Sequence, residues 1–132
     1  MEAGDSGERG LTMDNLLAFI IEDDDDAGVI FSNALREAGF ECEIIQTGDE
    51  ALARLAETVP AVVVLDLHLP RVSGVEILRQ IRADARLAET HVIVATAFPD
   101  MAAGLEEKAD LVLTKPISYG QLRDLAKRVG VV

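Results

Sequence analysis

The sequence predicts an α/β domain, a doubly wound parallel sheet of five strands with helices on both faces. Three observations predict it. Short apolar runs rich in β-branched residues alternate with stretches of helical periodicity, giving five βα units in 132 residues. The runs at residues 16–21 and 61–65 are apolar throughout rather than every second residue, which suits strands covered on both faces. The connections are short, so consecutive units wind in one sense around a single core. A chain of 132 residues makes one domain with one well-formed interior.

Taken in order, residues 1–14 are mostly small, polar and glycine-rich; they predict a disordered leader, with the folded domain over 15–132. Leu16-Leu-Ala-Phe-Ile-Ile21 predicts the first strand and runs into Glu22-Asp-Asp-Asp-Asp26. A helical pattern follows that places Val29, Ile30, Ala34, Leu35 and Ala38 on one side, with Gly39 as its stop. Residues 40–45 predict a strand, and residues 48–57 a helix carrying Ala51, Leu52 and Leu55. Pro60 precedes the third strand, Ala61-Val-Val-Val-Leu-Asp66, five apolar residues that end in a carboxylate. Past Pro70, Gly74 serves a turn into a helix striped by Val75, Ile77, Leu78 and Ile81 and ending near Ala83. His91-Val-Ile-Val-Ala-Thr96 is the fourth strand and Leu111-Val-Leu113 the fifth, with a brief helix expected between them over roughly residues 100–108. Ser118 caps a last helix in which Leu122, Leu125, Ala126 and Val129 recur at helical spacing.

Charge and composition exclude some functions. A formal net charge of −12 argues against nucleic acid or an anionic membrane as a direct partner. No apolar stretch approaches the length of a membrane span. The single cysteine, Cys42, allows no intrachain disulfide and fits a reducing, cytoplasmic setting; its place on the second strand reads as a small core or edge residue. His91 starts a strand and so lies on the far edge of the sheet, where a structural role is expected.

In a parallel sheet every strand's carboxyl end lies along one edge, and ligands bind there. Glu22 and Asp23 follow the first strand, Asp66 closes the third, Thr96 closes the fourth and Lys115 follows the fifth. Two carboxylates about 4 Å apart in a partly buried site repel by on the order of 4 kcal/mol, so such a cluster implies a bound cation or a retained proton. All-oxygen ligation with few protein groups suits Mg²⁺. Lys115 and Thr96 add a positive charge and a hydroxyl donor, completing a pocket for a tetrahedral dianion beside the metal. A carboxylate there can itself attack phosphorus and form an aspartyl phosphate. Asp24, Asp25 and Asp26 are read differently, as acids that open and cap a helix.

Four motifs carry a family resemblance: Ile20-Ile-Glu22-Asp23-Asp24, Val64-Leu-Asp66-Leu-His-Leu-Pro70, Val94-Ala-Thr96-Ala97 and Leu113-Thr-Lys115-Pro116. In this order and spacing the chain resembles the CheY-like receiver domains of two-component response regulators over about residues 16–130. The resemblance implies strand order 2-1-3-4-5 in a flavodoxin-like fold. It implies Asp66 as phosphoacceptor, with Glu22, Asp23, Asp66 and the backbone carbonyl of His68 around Mg²⁺. Thr96 would hydrogen-bond a phosphoryl oxygen, Lys115 would pair with Asp66 and then with its phosphate, and the Lys115–Pro116 peptide would be cis. The implied partners are a histidine kinase or histidine phosphotransfer protein and a downstream protein, with self-association as a homodimer left open.

The departures are specific. Val112 stands where such domains commonly carry Tyr or Phe, and Lys108 where a glycine is usual. Thr96 and Lys115 are 19 positions apart, about three fewer than the family pattern, which predicts a short or distorted fourth helix. Phe98 offers a substitute ring, and His68, two positions past Asp66, could govern access of water or phosphodonor. The expected function is a stand-alone, phosphorylated receiver. The alternatives are an unphosphorylated pseudo-receiver acting as an interaction module, and a receiver fragment of a hybrid kinase. A haloacid dehalogenase-type hydrolase would want a second acid where His68 stands and a cap domain for which 132 residues leave no room.

Overall fold

The computed structural model describes residues 16–130; the expected leader over residues 1–14 lies outside the described residues. The order of elements is β1 (Leu17–Ile21), α1 (Asp25–Glu37), β2 (Glu41–Ile45), α2 (Gly48–Glu57), β3 (Val62–Leu65), α3 (Gly74–Ala83), β4 (His91–Thr96), β5 (Leu111–Thr114) and α4 (Tyr119–Gly130). Short 3₁₀ turns at Ala85–Leu87 and Pro99–Ala102 flank β4. All five strands are parallel in the order β2-β1-β3-β4-β5. This is the doubly wound topology expected.

Strand alternation divides the interior in two. Phe19, Ile21, Val63, Leu65, Val92 and Val94 point to the side covered by α2 and α3, where Leu55, Ile77, Leu78 and Ile81 meet them. Ala18, Ile20, Val62, Val64, Ile93 and Ala95 point to the other side, against Phe31, Ala34 and Leu35 of α1 and Leu122 and Ala126 of α4. Because both faces are covered there, the central strands β1 and β3 are continuously apolar, whereas the edge strand β2 carries the exposed Glu41.

The helix ends follow local chemistry. Asp24 caps α1 by accepting the Ala27 N–H at 2.8 Å, and Thr47 and Ser73 cap α2 and α3 in the same way. Ser118 accepts the Gln121 N–H at 3.0 Å, as its sequence position suggested. Gly39 takes a φ of +106° just past the end of α1, a conformation that favours glycine.

Two expectations need correction. Val29 and Ile30 are 52% and 44% exposed rather than on the buried side of α1. The inward stripe is Gly28, Phe31, Ser32, Ala34 and Leu35. Ala34 and Leu35 are buried on this stripe as expected, whereas Val29 and Ile30 turn outward beside it.

Between β4 and β5 no α-helix forms over residues 100–108. The 3₁₀ turn at Pro99–Ala102 gives way to turns, with Gly104 at a φ of +82°. Arg82 of α3 fastens this span, donating from Nε to the Lys108 carbonyl at 2.6 Å and from Nη2 to Asp110 at 3.2 Å. The same Asp110 carboxylate accepts the Val92 N–H at 2.6 Å, while His91 lies 3.6 Å away on the far edge.

Candidate functional site

Backbone hydrogen bonds between strand ends set the position of each polar residue. The Glu22 N–H donates to the Ile45 carbonyl at 2.9 Å, the Asp66 N–H to Ile21 at 3.0 Å and the Lys115 N–H to Thr96 at 2.8 Å. Glu22, Asp66, Thr96 and Lys115 are thereby held at the carboxyl rim of adjacent strands. The Lys115–Pro116 peptide is cis.

Glu22, Asp23 and Asp66 each offer a carboxylate oxygen, and these three atoms lie within 4.8 Å of one another. Glu22 is 1% exposed and Asp66 6%, whereas Asp23 is open to solvent. At an effective dielectric near 20, the buried Glu22–Asp66 pair at such a separation repels by about 3 kcal/mol. The Lys115 ammonium offsets part of this, at 2.5 Å from Glu22 Oε1 and 3.6 Å from Asp66 Oδ2. It leans toward Glu22 rather than Asp66, its expected partner. Glu22 is the more deeply buried carboxylate, and Asp66 already accepts the His68 N–H at 3.1 Å.

The titration of these groups reflects the same geometry. Burial pushes the Glu22 carboxyl up; the hydrogen bond from Lys115 pulls it down, the Asp66 charge raises it again, and the net effect is upward. Burial acts to lower the Lys115 pKa, but the hydrogen bond to Glu22 and the charges of Glu22 and Asp66 outweigh it, leaving the ammonium more firmly protonated. Beneath it, the Phe31 ring centre lies 5.8 Å from Nζ, within cation–π range.

Three carboxylates facing one ammonium leave two negative charges uncompensated, and the donors are all hard oxygens. A divalent, oxygen-preferring cation such as Mg²⁺ fits that charge and that donor set. Asp24, by contrast, is occupied as the α1 cap, as its helix-opening position suggested.

Thr96 is buried at the end of β4, and its Oγ1 accepts the Phe98 N–H at 2.9 Å. Phe98 is 51% exposed, and its ring centre lies 5.1 Å from that of His68, tilted by 49°. Val112 is half-buried and packs on the α2–α3 side of the core.

Three features of the site's surroundings were missed in the sequence. Gly74 lies so close to the Asp66 carbonyl that a Cβ would sit 2.1 Å from it; close approach to the backbone at the end of β3 is what requires glycine there. Gly48 grips the other side of the same loop, where a Cβ would fall 1.9 Å from the Val72 carbonyl. Arg71, in the loop between β3 and α3, has a φ of +73°. A glycine flags tight backbone contact only once its neighbour is known, and an arginine gives no such signal.

Comparison with known proteins agrees with the architecture. The response regulator receiver domain family matches residues 18–127. The DNA-binding response regulator MtrA of Mycobacterium tuberculosis is 34% identical over 112 residues, 83% of this chain and 49% of that protein. The phosphate regulon transcriptional regulatory protein PhoB of Rhizobium meliloti is 35% identical over 106 residues, covering 78% of this chain and 47% of the relative. The chain thus spans about half the length of the curated relatives it matches. Among solved structures, a CheY-like receiver domain from Methylobacillus flagellatus superposes with a TM-score of 0.74 at 26% identity, covering 86% of this chain and 98% of that one. The BeF₃-activated DrrB receiver domain gives 0.76 at 31% identity, covering 86% and 96%.

Proposed function

Because the chain belongs to the response regulator receiver domain family, we propose that it is a phosphorylation switch whose acceptor is Asp66. The observation that carries this is the packing of Glu22, Asp23 and Asp66 within 4.8 Å beside the Lys115 ammonium. A phosphohistidine of a histidine kinase or phosphotransfer protein is the donor. An Asp66 carboxylate oxygen attacks phosphorus; the new P–O bond forms as the P–N bond breaks, and the departing imidazole takes up a proton.

Glu22, Asp23, Asp66 and the His68 backbone carbonyl would hold Mg²⁺. When bound, the ion supplies charge neutralisation for the phosphoryl oxygens. Lys115 is already within 3.6 Å of Asp66 and contributes a fixed positive charge to the added group. The Thr96 hydroxyl supplies a hydrogen bond to a phosphoryl oxygen. The deep burial of Glu22 and Thr96 keeps these groups oriented and dry, which strengthens their electrostatic effect.

The chain acts as a signalling receiver and transmits its state by protein contact or onward phosphotransfer. MtrA is a DNA-binding response regulator and PhoB a transcriptional regulatory protein, each about twice as long as its matched span. With a net charge of −12, this chain does not itself supply the DNA contact. The closing test is intact mass after incubation with Mg²⁺ and a small-molecule phosphodonor. One phosphoryl adduct, absent without Mg²⁺ and absent in Asp66→Asn, is the expected result. A folded, metal-supplied protein that gains no adduct would instead be a pseudo-receiver, an interaction module.

A further inference from the structure

We propose that the His68–Phe98 ring pair reports the state of the acceptor, in place of the ring that Val112 does not provide; this rests on Asp66 being the phosphoacceptor. Each ring hangs by its own backbone N–H from one of the two side chains whose bonding phosphorylation must alter. The His68 N–H donates to Asp66 Oδ1 at 3.1 Å, and the Phe98 N–H donates to Thr96 Oγ1 at 2.9 Å. The two rings then meet at 5.1 Å across the mouth of the site.

Both anchors change together when a phosphoryl group arrives. Conversion of the Asp66 carboxylate to an acyl phosphate moves its negative charge onto the phosphoryl oxygens, so the His68 N–H loses an ionised acceptor. Among the described residues the Thr96 hydroxyl accepts a hydrogen bond and donates none. It is buried away from water, so a dianion nearby is the partner its proton lacks. Turning that proton toward the phosphoryl group redirects the lone pair that holds the Phe98 N–H. The loop bearing Phe98 is short of regular structure, consisting of a four-residue 3₁₀ turn followed by turns, so residue 98 can follow.

Val112 cannot serve in the same way: it carries no ring, and from the middle of β5 it packs against the core. Phe98 is half exposed, so moving its ring disturbs little packing and alters what the surface presents.

The sequence contains no tryptophan, so Phe98→Trp introduces a single fluorophore. Intact mass and tryptophan emission are read on the same sample after addition of Mg²⁺ and a small-molecule phosphodonor. Emission is expected to change with the time course of the adduct, and the change is expected to be lost when His68→Ala is added. On the unsubstituted, isotope-labelled chain, the His68 and Phe98 amide resonances should shift on phosphorylation and the ring-to-ring NOE should disappear. An adduct that forms while the NOE and both amide resonances stay unchanged overturns the ring-pair proposal and leaves Asp66 as acceptor. No adduct on the unsubstituted chain overturns both.

Discussion

Gly74→Ala should damage both stability and the candidate site, because of where the added carbon lands. It would lie 2.1 Å from the Asp66 carbonyl oxygen and 2.6 Å from the Leu67 Cα, whereas ordinary contact begins at 3.4 Å. Both obstacles are backbone, and the Gly74 N–H is bound to the Leu67 carbonyl at 3.0 Å, so α3 cannot simply slide away. The gap must open by about 1 Å, at Asp66, the proposed acceptor. Overpacking of this kind costs roughly 1–3 kcal/mol. With backbone on both sides we expect about 3 kcal/mol, a fall in melting midpoint on the order of 10 °C. A displacement of about 1 Å at a reacting group also slows reaction by on the order of 100-fold. Urea denaturation measures the first effect, and the rate of phosphoryl incorporation the second. Gly120→Ala is the control, since a Cβ there meets only the Arg123 side chain at 3.6 Å. An unfolding free energy for Gly74→Ala within about 0.5 kcal/mol of the parent, with an unchanged phosphorylation rate, would refute the reasoning.

Other perturbations have defined signs. Arg71→Gly relieves a φ of +73° and should stabilise the fold by roughly 0.5–1 kcal/mol after the greater unfolded-state freedom of glycine is subtracted; a destabilised variant in urea titration contradicts this. The Arg54 hydrogen bond holds the Glu43 carboxyl below its usual value of 4.5, so the pair's contribution is complete above that pH and is lost as pH falls through the lowered value. Glu43 is a third exposed, so solvent screening limits this to under about 1 kcal/mol; Glu43→Gln should lose it at neutral pH and show a flatter stability profile below pH 4.5. Glu22→Gln removes a buried carboxylate from the three-acid cluster and should weaken Mg²⁺ binding at least tenfold by titration calorimetry, on the order of what the loss of a supporting metal-site group costs. Unchanged affinity would place the ion elsewhere.

Much of this was legible in the sequence because burial on both faces leaves an unambiguous mark. Ala61-Val-Val-Val-Leu65, short and rich in β-branched residues, suited a covered strand, and a carboxylate at its end had no apolar reason to be there. Once the strands were placed, Glu22, Asp66, Thr96 and Lys115 had to share one rim. The α1 face was only partly legible: Ala34 and Leu35 are buried as their spacing indicates, but hydropathy ranks Val29 and Ile30 above Gly28 and Ser32, and it is the latter pair that faces inward. The lean of Lys115 toward Glu22 was equally hidden, since it depends on how deeply each carboxylate is buried. The shortened span between β4 and β5 was foreseen from spacing, but its fastening by Arg82 and Asp110 joins residues 28 positions apart.

The central claim is that Asp66 reacts while its neighbouring acids only hold charge. Borohydride trapping tests it most directly, since hydride reduces an acyl phosphate to the alcohol and marks the residue for peptide sequencing. After exposure to Mg²⁺ and a small-molecule phosphodonor, the reduced side chain is expected at position 66 alone, and only with the metal present. A reduced side chain at Glu22 or Asp23, or an equal yield at Asp66 without Mg²⁺, would contradict it.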